Sequence, residues 1–285
     1  MELNHFLATY LYVFIGILSL LVGSLLNVVI YRLPLMLRAE FLRDYQELTN
    51  QESREEKPSI NLFLPRSFCP ACQNTVKARH NIPLVSYLWL RGKCAYCGHP
   101  ISKRYPLVEL VTLLLSLAAM WHFGLTLHLP FVLLFIWLLI PMFFIDLDHQ
   151  LLPDSLTLGL LWLGLLANTA NLFTPLPIAV LSAAGAYLVL WLFIQLFYLV
   201  TGKVGMGNGD FKLFAAFGAW LGWTQLPLIL LLASISGAVI GSIYLRLQQK
   251  GSETPIAFGP FLCIAGLISL FYGNDIIHWY LKLWF

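Results

Sequence analysis

The sequence predicts an all-α polytopic membrane protein of about eight transmembrane helices with a cytoplasmic zinc-binding loop domain. Three observations carry this reading. Hydrophobic residues fill 59% of the 285 positions and charged residues only 11%, against about 25% charged in a soluble domain. Apolar runs of bilayer length, roughly 17–25 residues, recur along the chain, and the mean hydropathy is +0.77. Finally, 12 of the 17 Lys and Arg residues fall between Arg32 and Arg104, in one long polar stretch.

The first helix is expected from about Phe6 to Ile30, with no basic leader or small-residue cleavage site to mark it as a signal peptide. A polar loop follows from Tyr31 to Tyr105, and its 38–58 stretch of mixed charge reads as a surface helix. The remaining helices are expected from after Pro106 to Phe123, His128 to Ile145, after Pro153 to Asn168, Ile178 to Val200, Phe211 to Trp223, Leu226 to Leu245 and Ile256 to Leu281. The segment at Phe211 is short for a span. Three domains follow: a first helix at 1–30, a loop domain at 31–105 and a membrane domain at 106–285.

Placing the basic loop in the cytoplasm puts Lys203, Arg246 and Lys250 inside as well, and only Lys282 outside, in line with the positive-inside rule. The N-terminus is then periplasmic. Because the charge excess is a topology signal in a chain of net charge +3, the partner it implies is a lipid bilayer and not a nucleic acid.

Four of the five cysteines form two pairs, Cys69–Cys72 and Cys94–Cys97, each C-x2-C. Two tight turns that each present two thiolates make a tetrahedral site for Zn2+. Four thiolates fill the coordination shell, so the metal would be structural. Disulfides are the alternative, disfavoured in a reducing cytoplasm. Cys263, alone in an apolar helix, reads as packing.

Acids at membrane depth are costly and tend to be functional. Asp146 ends a long apolar run, with Asp148 and Asp154 close behind, and Asp154 reads as a helix N-cap. Asp210 follows three glycines at alternate positions, Gly205, Gly207 and Gly209, and Glu109 opens the second helix. Asp146 and Asp210 emerge on the same side. Two carboxylates close together share one proton, one acting as base and the other as acid; that is aspartyl-protease chemistry.

These motifs resemble the type IV prepilin peptidases of the GxGD aspartyl protease group. Asp146 to Asp154 looks like the family's first aspartate motif, Gly207-Asn208-Gly209-Asp210-Phe211-Lys212 like its GxGD motif, and Gly23 to Pro34 like its first-helix signature. The paired cysteines are similar to those of the bifunctional bacterial branch. The resemblance implies catalysis by Asp146 and Asp210 on prepilin and pseudopilin substrates, cleaved on the cytoplasmic side of the inner membrane. It also implies N-methylation with S-adenosylmethionine, for which Gly92 and Lys93 are the candidate binding residues. Asn27 and Arg32 in the first-helix signature would hold substrate or pack the core.

Two other readings remain open from the residues. Asp146-x-Asp148 could bind Mg2+ in a membrane transferase, or the acids could be ion ligands of a channel or transporter.

Overall fold

In the computed structural model, residues 2–49, 60–203, 205–247 and 256–283 are described. Among them the chain is helical, and pairing of the β type is limited to the isolated bridges Phe68–Thr75 and Lys93–Pro100. Two compact units divide it at residues 125 and 126.

The first unit holds α1 (Glu2–Leu48), a 3-10 turn at Ala78–His80, α2 (Val85–Trp89) and α3 (Arg104–Phe123). α1 does not end near Ile30 as expected. It runs on to Leu48 through Pro34, so the first part of the expected surface helix at 38–58 is its continuation; positions 50–59 lie outside the described residues. Pro34 removes one helical hydrogen bond, but strong helix formers such as Leu, Met, Arg, Ala and Glu follow and carry the helix on. α3 starts two residues before Pro106, which falls in the first turn, where no helical hydrogen bond is lost.

α1 packs on α3, so α3 groups with the loop segment and not with the later helices. A Cβ at Gly23 would lie 2.9 Å from the Glu109 Cα; the missing side chain lets the two backbones meet. The signature residues of the first helix serve this packing. Asn27 Nδ2 donates to the Tyr105 carbonyl at 3.1 Å. Buried Arg32 donates to the carbonyls of Asn61 at 2.8 Å and Pro65 at 2.5 Å, pinning the loop to the helix.

The second unit comprises α4 (His128–His149), α5 (Asp154–Thr169), α6 (Leu176–Thr201), α7 (Asn208–Leu221), α8 (Leu226–Leu247) and α9 (Gly259–Lys282). α7 packs against α5, α6, α8 and α9. From Asp210 to Trp220 every residue except Lys212 is buried. A helix that is apolar all round belongs inside a bundle.

Among the described residues six helices are long and apolar enough to cross a membrane: α1, α3, α4, α6, α8 and α9. α5 and α7, with 16 and 14 residues, are about 24 and 21 Å long. Both fall short of a hydrocarbon core of about 30 Å. α7 tolerates this because its surroundings are protein.

Both ends of α7 are built from polar contacts. At its C-terminal end, buried Asn168 donates to the carbonyls of Ala219 (2.8 Å) and Trp220 (3.1 Å). Its Oδ1 accepts from the N–H groups of Phe173 and Thr174. Trp220 Nε1 donates to the Leu160 carbonyl at 2.7 Å. Asn168→Leu would strand two helix-end carbonyls and two N–H groups in an apolar setting. It is expected to lower stability by about 3 kcal/mol, seen as a reduced unfolding midpoint in detergent.

Candidate active site and metal centre

Where α4 was expected to stop at Ile145, it continues for one more turn and ends against Gln150, whose positive φ of 52° closes it. Asp146 therefore sits on a helical face, 5% exposed. α7 likewise starts earlier than expected, at Asn208, and carries Asp210 within its first turn, 8% exposed. The two carboxyl groups are close enough for the charge of one to act on the other.

Main-chain groups of two glycines complete this setting, one inside the GxGD motif and one, Gly259, outside the sequence motifs. The Gly259 N–H, in the first turn of α9, donates to the Asp146 carboxylate, and the Gly207 N–H donates to that of Asp210. A Cβ on Gly259 would come within 2.5 Å of Asp146 Oδ2, so only glycine allows α9 to approach the acid this closely. Leu152, buried in the α4–α5 link, lies against both Gly209 and Gly259, with a Cβ on Gly209 falling 2.7 Å from its own. Cys263, buried one turn along α9, is close enough to feel both carboxylates.

The other acids lie elsewhere. Asp148 is two residues from Asp146, about 200° around the helix, and it is exposed. Asp154 is not the N-cap of α5. Pro153 takes that position, and Asp154 meets Lys212 Nζ at 2.6 and 2.7 Å. This pair joins the start of α5 to the turn that carries Asp210. Glu109 belongs to the first unit, where its Oε2 accepts the Leu84 N–H at 2.8 Å.

The four cysteines converge as the spacing predicts. Their sulfurs all lie within 4.8 Å of one another, with Cys69–Cys97 at 3.8 Å and Cys72–Cys94 at 4.0 Å. A tetrahedral Zn2+ with bonds of about 2.3 Å sets its sulfurs about 3.8 Å apart, whereas a disulfide needs about 2.05 Å. The donor set and spacing therefore fit a metal such as zinc. Two matching turns build the cluster. In the first, Cys69 N–H donates to the Asn74 carbonyl and Gln73 N–H to that of Cys69; in the second, Cys94 pairs with His99 and Gly98 with Cys94 in the same pattern. Gln73 and Gly98, at equivalent places, have φ of 59° and 70°. The main-chain N–H groups of Tyr96 and Cys97 draw the Cys94 thiol down to about 7, and that of Asn74 lowers Cys72.

Gly92 and Lys93 stand at the entry to the second turn. Gly92 has a φ of 68°; its N–H donates to the Tyr87 carbonyl and its carbonyl accepts from Ile101. Both of its main-chain groups thus serve the loop itself and do not fit a cradle for a nucleoside cofactor. Lys93 is exposed.

A profile of the bacterial peptidase A24 N-terminal domain matches residues 17–123, and one of the type IV leader peptidase family matches residues 133–242. A curated protein of Legionella pneumophila named prepilin leader peptidase/N-methyltransferase is 62% identical over 275 residues, covering 96% of each chain. The chain belongs to the type IV leader peptidase family. Relatives with the same name from Pseudomonas aeruginosa and Aeromonas hydrophila are 52% and 49% identical, over 93% and 99% of this chain and 92% and 97% of theirs. No solved structure matches. As a member of this family with six bilayer-length helices, the chain is a multi-pass membrane protein. The leader peptidase match contains Asp146 and Asp210, and the N-terminal match contains the four cysteines.

Purified from zinc-containing medium, the protein is expected to carry one zinc per chain, and Cys72→Ser or Cys94→Ser to lose most of it by elemental analysis. Protons compete with the metal for thiolates. Zinc release to a chelating dye should therefore rise as the pH falls, while the metal stays bound at neutral pH and above.

Proposed function

We propose that this chain cleaves the leader peptides of type IV prepilins and pseudopilins at the cytoplasmic face of the bacterial inner membrane, with Asp146 and Asp210 as the catalytic pair, and then N-methylates the new terminus. The observation that carries the reading is the burial of two carboxyl groups, in the last turn of α4 and the first turn of α7, within electrostatic reach of each other. The names of the relatives give the substrate class and the second activity.

The chemistry follows from the pair. Two carboxyl groups at short range hold one proton between them. The ionised member takes a proton from a water as its oxygen attacks the scissile carbonyl, and the protonated member donates to the carbonyl oxygen. The tetrahedral intermediate then collapses, and the leaving nitrogen receives a proton from the pair. The Gly259 and Gly207 N–H groups hold each carboxylate in place. Asp148, on another face of α4, does not join Asp146, so the arrangement favours hydrolysis by a pair over a metal held by Asp146-x-Asp148.

Zn2+ held by Cys69, Cys72, Cys94 and Cys97 would staple a loop with little apolar core. S-adenosylmethionine would supply the methyl group. Gly92 and Lys93 do not support a site for it, so this half of the activity rests on the relatives alone. The Lys and Arg distribution supports a periplasmic N-terminus and a cytoplasmic 31–105 loop.

Purified protein incubated with a prepilin tests the reading. Asp146→Asn and Asp210→Asn are each expected to slow cleavage by on the order of 10³-fold or more; near-normal cleavage by either variant overturns the assignment. Asp148→Asn and Asp154→Asn should stay within about tenfold of the parent, since an exposed ion pair such as Asp154–Lys212 contributes little. Gly259→Ala places a methyl group against Asp146 and should abolish most cleavage while leaving zinc content unchanged.

A further inference from the structure

The segment around the cysteine cluster exposes apolar surface that neither metal binding nor proteolysis explains. α2 leaves Val85, Leu88 and Trp89 56%, 74% and 69% exposed. At i, i+3 and i+4 these side chains share one helix face. A cluster of this kind marks an interaction surface.

Its depth is set by a hydrogen bond within the same unit. The N–H of Leu84, the residue before α2, donates to Glu109 Oε2 at 2.8 Å. Glu109 lies five residues into α3, about 8 Å along the helix axis. α3 has 20 residues, and at about 30 Å it matches the hydrocarbon core of a bilayer. α2 therefore begins beside a residue about 8 Å in from that end of α3, within the roughly 5–10 Å depth that an interfacial helix reaches, and does not stand free in bulk solvent.

Charge points to the same surroundings. From Ile60 to Val108 the chain has seven Lys and Arg and no Asp or Glu. Four thiolates around one Zn2+ would leave two negative charges, so the segment stays basic. Arg91 and Lys93, just beyond α2, are exposed. Apolar and aromatic side chains flanked by cations are the composition of a helix lying in an anionic lipid interface.

We propose that α2 is a membrane-surface anchor. Val85, Leu88 and Trp89 enter the boundary between headgroups and acyl chains, and Arg91 and Lys93 meet anionic lipid phosphates. The anchor holds the cysteine cluster against the bilayer at a fixed height. It depends on the first unit alone and stands whether or not the proposed proteolysis is correct.

The test uses the full chain in nanodiscs of phosphatidylcholine mixed with phosphatidylglycerol. A photo-crosslinking benzoylphenylalanine replaces Leu88 in one variant and Trp89 in another, with zinc content checked in each. The expected result is lipid adducts at both positions, with phosphatidylglycerol several-fold over-represented relative to its share of the bilayer. Adducts mainly to residues 126–285 or to a second copy of the chain would overturn the proposal, as would no lipid adduct in zinc-loaded protein. A second measurement leaves the helix unchanged. Brominated phosphatidylglycerol should quench fluorescence that disappears in Trp89→Phe; equal quenching of the parent and Trp89→Phe would also count against the anchor.

Discussion

Burying two carboxyl groups within electrostatic reach of each other inside an apolar bundle is the constraint on which the second unit depends. Neither acid can be buried cheaply, and their mutual repulsion adds to the cost. The bundle meets this with a central helix surrounded by protein. α7 presents Asp210 from its first turn, and Asn168 and Trp220 Nε1 tie its far end to the carbonyls and helices around it. Around the acids the packing is close: Leu152 fills the gap between Gly209 and Gly259, and the Gly259 N–H meets Asp146. The glycines at these contacts matter because any side chain there would push α4, α7 and α9 apart.

The first unit solves a different problem. Its loop has few buried apolar side chains, and hydrogen bonds to the membrane helices do much of the holding. Arg32 reaches the carbonyls of Asn61 and Pro65, and Glu109 takes the Leu84 N–H. The two cysteine turns add a cluster suited to a metal. Polar contacts and a cluster that fits a metal organise such a domain where an apolar core is too small.

Much of this was legible in the sequence because it rests on local pattern. Apolar runs placed the membrane helices, the C-x2-C pairs placed the cluster, and the glycine-rich approach to Asp210 marked one acid of the pair. What escaped depends on contacts between distant segments. The first helix is expected to end near Ile30, yet α1 continues through Pro34 to Leu48 because the residues beyond it favour helix. Asp146 is expected just past a helix that ends at Ile145, whereas α4 adds a turn that carries it. Asp154 looked like an N-cap, but its partner is Lys212, 58 positions later. Gly259 had no local signal at all, since its role is to let α9 meet Asp146. The shortness of α7 was visible, while its reason, burial of every residue but Lys212 from Asp210 to Trp220, was not.

The juxtaposition of residues 146 and 210 is the central claim. A direct measurement is cross-linking of an Asp146→Cys/Asp210→Cys variant, made in a Cys263→Ala background, with a short bismaleimide in native membranes. Intact-chain mass distinguishes one bridging reagent from two singly attached ones. One intramolecular bridge between the two positions, with the cluster thiolates still zinc-bound, is the predicted result. Two separately attached reagents, in a chain that retains its zinc, would contradict it.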